Sequence, residues 1–136
     1  MGITIRTALA AGVLTALAAP AMAQDITVGV SIPAATHGWA GGMNFHAQQA
    51  IERLEEGYPQ GDLVLATASD PAEQVSDIED MVATRGIDAL VVLPFESEPL
   101  TGPVQAVAES GVWITVVDRG LSVDGIEDLY VAGDNA

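Results

Sequence analysis

Five short runs of consecutive apolar, mostly β-branched residues recur along the chain at intervals too long for hairpins. They are "ITVGVSI" (26–32), "DLVLATA" (62–68), "DALVVL" (88–93), "VWITVV" (112–117) and "DLYVA" (128–132). A strand with one solvated face alternates polar and apolar residues, whereas continuous runs belong to strands buried on both faces. Parallel strands need crossover connections, and the intervening stretches have helical spacing. After Ala40, Met43, Ala47, Ala50, Ile51 and Leu54 share one face. Asp70-Pro71-Ala72-Glu73 has the form of a capping box with Pro at the first helical position, and Val75, Ile78 and Val82 of that helix point inward. A third helix carries Leu100, Val104, Val107 and Ala108, with Pro103 expected in its first turn. Gly57, Gly86 and Gly111 stand where the three helices should stop in left-handed backbone. The pattern predicts an α/β fold, a doubly wound parallel sheet with helices on both faces. No internal repeat, low-complexity tract or linker interrupts it.

The first 23 residues stand outside this pattern. Arg6 gives a weakly basic start, residues 7–20 ("TALAAGVLTALAAP") form an apolar core, and Ala21 and Ala23 of "AMA" have the spacing a signal peptidase reads. The core falls short of the roughly 18 to 20 residues of a spanning helix. Residues 1–23 are therefore expected to be a secretory signal peptide, cleaved between Ala23 and Gln24. No Cys follows, which argues against a lipoprotein. Residues 24–136 then form one domain. They carry three Arg and no Lys against 19 carboxylates, and the whole chain, which adds Arg6, has a net charge of −15. A surface so acidic repels nucleic acid and anionic lipid and favours a neutral or cationic partner. With no Cys in the chain, disulfides, thiolate metal sites and Cys nucleophiles are excluded together.

Open α/β sheets bind ligands beyond the carboxyl ends of their strands. Here those ends carry "PAATHGWAGG", "SD", "PFESE", Asp118-Arg119-Gly120 and Gly133-Asp134-Asn135. Trp39 stands in a loop of small residues, so it either covers the start of the first helix as core or awaits something that packs on an indole. Trp113 lies within a strand pattern and reads as core. His37 and the helical His46 are the two histidines, and no tight carboxylate cluster completes a metal set, so no metal is expected. Ser31 lacks a nucleophile elbow. Gly38, Gly41 and Gly42 open a helix but do not spell a dinucleotide fingerprint, and no cofactor is indicated. Asp118 and Arg119 are either a loop ion pair or turn cap, or a recognition pair for vicinal hydroxyls. In the second reading the carboxylate accepts, the guanidinium donates, and an indole covers the apolar face of a sugar ring.

With "ITVGVS", the aromatic-bearing loop, "DPAEQVSDIEDMVATRGIDALVV", "ITVVDRG" and "VAGDN" in this order, the chain resembles the ribose-binding-like branch of the periplasmic sugar-binding proteins of ABC transporters. The resemblance covers essentially all of 25–136. It implies a two-lobed receptor that closes over a small neutral sugar or polyol, performs no chemistry, and docks on an inner-membrane permease. It implies ligand contacts from Asp118 and Arg119, stacking from His37 and Trp39, and further contacts from Asp134 and Asn135. Where relatives carry a polar ligand before the Pro of the third strand end, this chain has Leu93, leaving Glu96 as a substitute. The resemblance also implies that 24–136 is the N-terminal sugar-binding lobe, incomplete at its C-terminal end. A periplasmic sensor for a sugar or autoinducer shares these features. Sugar-responsive repressors have a basic helix-turn-helix where this chain has its leader, and an enzyme would need a nucleophile, metal set or cofactor fingerprint.

Overall fold

The computed structural model describes residues 25–35 and 38–134; the expected signal peptide (1–23), His37 and Asn135 lie outside them. The elements are β1 (Ile26–Pro33), α1 (Gly38–Gly57), β2 (Gly61–Ala68), α2 (Pro71–Asp80), β3 (Ala89–Val92), α3 (Ser97–Glu109), β4 (Trp113–Val117) and β5 (Leu129–Val131). All pairings are parallel, in the order β2-β1-β3-β4-β5. The expected doubly wound sheet is present, and the strand order reverses at β1.

The two sheet faces differ in how well they are covered. Leu90, Val92, Ile114 and Val116 meet Ile78 and Met81 from α2 and the turn after it, and Leu100, Val104 and Val107 from α3. All are buried, and they form the main core. Gly29 lets the segment after α2 approach closely, because a Cβ there would lie 2.8 Å from Met81 Sδ and 3.0 Å from Ile87 Cδ1. The opposite face, including Val28, Val30, Ile32 and Val91, is covered among the described residues by α1. Met43, Ala47 and Ile51 do face the sheet, but no α1 side chain is fully buried. A cavity of about 280 Å³ with purely apolar lining remains between helix and sheet.

The capping box forms with one change. Glu73 N–H donates to Asp70 Oδ1 at 2.9 Å, but the Glu73 carboxylate receives the N–H and hydroxyl of Ser69 rather than the N–H of Asp70. After Asp80 the helix widens into a single π turn, Met81–Arg85, and stops at Gly86 with φ 59°. Gly111 is likewise left-handed at φ 94°. Gly57 is not: it is the last residue of α1 and has no positive φ. The chain turns there through Tyr58 N–H to Leu54 O and Gly61 N–H to Tyr58 O.

Two further expectations fail. Pro103 lies inside α3, in its second turn rather than its first, because the helix starts at Ser97. Trp113 is 53% exposed. It is the first residue of β4, at the exposed start of the strand, and its indole N–H donates to Thr115 Oγ1 at 3.3 Å.

Candidate functional site

Three strand ends build one concavity. β1 ends at Pro33 and the chain re-emerges in the first turn of α1 with Trp39 and Ala40. β3 runs into Leu93-Pro94-Phe95, and β4 into Asp118-Arg119. These eight residues line a hollow of about 310 Å³. Its walls are apolar except for one acid and one guanidinium, the mixture typical of small-molecule sites.

Hydrogen bonds that tie strand ends together hold the walls. Asn44 Nδ2 donates to Pro33 O at 2.8 Å and to Ala40 O at 2.9 Å, linking α1 to the end of β1. Leu93 N–H donates to Ser31 O at 3.0 Å. Gln74, buried on α2, donates to Leu93 O at 2.9 Å and accepts Phe95 N–H at 2.7 Å. Trp39 is 59% exposed and stands at the rim, so it is not core.

Asp118 adopts φ 60°, the left-handed region, and among the described residues is alone in this among non-glycines. Its N–H donates to Val131 O at 2.7 Å, and its carbonyl accepts the Tyr130 hydroxyl at 2.5 Å. Its carboxylate has no hydrogen-bond partner among the described residues, so it caps no turn there. Nor does it pair with Arg119; Arg85 and Asp62, at 2.5 Å, form the ion pair among the described residues. Arg119 Nη1 instead donates to Phe95 O and reaches Pro94 O at 3.5 Å. A guanidinium has five N–H donors, so this bond fixes its direction and leaves others for a ligand.

Of the six residues the sequence singled out, Trp39, Asp118 and Arg119 converge on the hollow. Asp134 follows β5 on the same sheet edge but does not line it, and His37 and Asn135 lie outside the described residues. Leu93 lines the hollow, whereas exposed Glu96 does not. Phe95 was overlooked, although an aromatic directly after a strand-end Pro was a readable signal. Asn44 and Gln74 gave only the weak signal of an amide beside the apolar positions of a helix. No group of three or more His, Cys, Asp or Glu suited to a metal ion occurs among the described residues. No helix there is long and apolar enough to cross a membrane.

A second hollow, about 290 Å³, lies at the opposite sheet edge beside Trp113, Asp88 and Asp128. Both carboxylates are already engaged there, accepting Thr27 N–H and Ile114 N–H at 2.8 Å each. The polar groups of that edge serve the sheet itself.

Fold and hollow together give a doubly wound sheet with a candidate ligand site at its switch point, beside β1 and β3. The periplasmic binding protein domain matches residues 28–136, and the chain belongs to that family. It is 32% identical over 73 residues to the ribose import binding protein of Bacillus subtilis, covering 54% of this chain and 23% of that protein. With the D-xylose-binding periplasmic protein of Haemophilus influenzae it shares 27% identity over 125 residues, covering 91% of this chain and 36% of the relative. Thus the chain spans well under half the length of these relatives. Among solved structures, an ABC transporter solute-binding protein from Clostridium phytofermentans with bound β-D-glucose superposes with a TM-score of 0.69 at 24% identity. That match covers 80% of this chain and 32% of that one. The fructose-binding periplasmic domain of hybrid two-component system BT1754 superposes with a TM-score of 0.66 at 24% identity, covering 77% and 33%.

Proposed function

We propose that this chain is the N-terminal lobe of a periplasmic substrate-binding component of an ABC importer for a sugar or sugar-like polyol, which it binds without chemistry. One observation carries the reading: an exposed indole, a carboxylate with no partner among the described residues and an oriented guanidinium face one hollow at the switch point of the sheet. A sugar offers C–H groups on its faces and hydroxyls around its rim. Trp39 would cover a face, Asp118 would accept from two neighbouring hydroxyls, and the free N–H groups of Arg119 would donate to a ring or hydroxyl oxygen. His37, Asp134 and Asn135 belong to the proposed site by the family resemblance. The named ligands of the relatives, ribose and xylose, support this substrate class. In this reading residues 1–23 direct export and are removed after Ala23, residues 24–136 form the lobe, and the remaining partner is an inner-membrane permease rather than nucleic acid.

The test is titration of the longest product of the gene against D-ribose, D-xylose, D-glucose and myo-inositol, with N-terminal sequencing of the protein from a periplasmic extract. Saturable binding and a new terminus at Gln24 are expected. Absence of binding to any sugar or polyol, or an intact Met1 on a cytoplasmic product, would overturn the proposal. A second reading keeps the ligand and changes the output. The fold also serves the fructose-binding domain of a two-component system. If the occupied protein stimulates a sensor kinase or chemoreceptor and drives no uptake, sensing is its role.

A further inference from the structure

We propose that Gln74, which lines no part of the hollow, is the positioning residue that sets the shape of its β3 wall. The inference rests on the hollow's being the sugar site. Gln74 is 0% exposed and every polar atom of its amide is engaged. Nε2 donates to Leu93 O at 2.9 Å and to Ser31 Oγ at 3.2 Å, and Oε1 accepts Phe95 N–H at 2.7 Å. One amide thus spans both sides of Pro94, which has no N–H of its own to fix this loop.

The geometry then carries through to the charged wall. With Leu93 O and Phe95 N–H held from α2, the carbonyls of Pro94 and Phe95 are free to face Arg119, whose Nη1 they receive. Gln74 therefore acts on a ligand through two steps, loop and then guanidinium. It also explains a fully buried polar residue in the first turn of α2. A buried amide with one bond missing would be costly, whereas one with all its bonds made specifies a single loop conformation. Glutamate at this position could still accept Phe95 N–H, but its carboxylate would face Leu93 O without a donor. Methionine fills the same space and offers neither bond.

The test uses the longest product of the gene carrying Trp113→Phe, with any tryptophan beyond residue 136 likewise changed to Phe, so that Trp39 alone reports by fluorescence. Gln74→Met, Gln74→Glu, Asp118→Ala and Ile78→Val are made in it, and each is titrated with D-ribose, D-xylose, D-glucose and myo-inositol. For the sugar that saturates the parent, Gln74→Met is expected to raise Kd about tenfold, within the range of couplings through one hydrogen-bond network. It should also shift the Trp39 emission. Gln74→Glu, which sets a buried carboxylate against Leu93 O, should raise Kd at least as far as Gln74→Met, and Gln74→Met carries the test if Gln74→Glu does not fold. Ile78→Val, a core change in the same helix away from the loop, should lower the denaturation midpoint and leave Kd and emission unchanged. If Asp118→Ala weakens binding while both Gln74 variants bind like the parent, the positioning role is refuted and the site stands. If a loss at Gln74 is matched by Ile78→Val, the role is general stability, and the inference is again wrong. If Asp118→Ala has no effect, the site reading fails and takes this inference with it.

Discussion

Replacing Asp118 with glycine should separate backbone strain from ligand recognition at one position. Left-handed backbone costs an L-residue roughly 1–2 kcal/mol, with Asp and Asn at the tolerant end. Glycine removes that cost but gives up about 0.5–1 kcal/mol more chain entropy on folding. The carboxylate adds nothing to the ledger, since no described residue bonds to it. The two backbone bonds, to Val131 O and from the Tyr130 hydroxyl, do not depend on the side chain. The net expectation for Asp118→Gly is a fold between unchanged and about 1 kcal/mol more stable. Binding should move the other way. A charged hydrogen bond contributes roughly 1.5–3 kcal/mol, so losing one raises Kd by roughly 10- to 150-fold. Asp118→Ala keeps the strain and loses the carboxylate, so it should bind as poorly as glycine without gaining stability. Urea denaturation and sugar titration by NMR, which tolerates millimolar ligand, measure both effects. A glycine variant that unfolds more easily by over about 1 kcal/mol and binds normally would refute the argument. It would return Asp118 to the role of a turn cap.

Trp39→Ala should weaken binding by about 0.5–1.5 kcal/mol if the indole stacks on the ligand, with little change in stability, since it is exposed; calorimetry on the purified variant checks this. The Glu73 carboxyl lies below its ordinary value of 4.5 because the hydroxyl and N–H of Ser69 both donate to it. The stability it contributes is full above 4.5 and lost as pH falls through its folded value. Glu73→Gln should therefore be less stable than the parent at neutral pH and converge with it in acid. Asp77 runs oppositely: burial first, then Glu73 and Asp80, raise it above 3.8. Its cost is full above the folded value and relieved as pH falls through it, so Asp77→Asn should raise the melting temperature at pH 7 and lose that advantage in acid. Residues 24–136 alone leave Leu129, Tyr130 and Val131 about half exposed and α1 loosely seated. They should associate in solution and bind sugars no better than about millimolar, near −4 kcal/mol; a monomer with a micromolar isotherm would contradict this.

The strands, their parallel arrangement and the helix stops at Gly86 and Gly111 were legible in the sequence because each rests on a local cause. A strand buried on both faces must be apolar along its length, and left-handed backbone selects glycine. Asp118 and Arg119 were legible for a related reason, since charges directly after a buried strand have no place except its exposed end. Trp113 was misread because its strand pattern is apolar, and periodicity alone does not say which residue of a strand stands at its exposed start. Pro103 was misplaced because the start of α3 is set by where the β3 loop releases the chain. Gln74 was passed over between Glu73 and Val75, for a buried amide has the same letter as a solvated one. What covers each face of the sheet, and which strand ends become neighbours, follows from the β2-β1-β3 reversal. That reversal brings Trp39, Phe95 and Arg119 around one hollow. Contacts between residues so distant in the chain form only when the whole sheet closes, and no local pattern encodes which polar group will find which partner there.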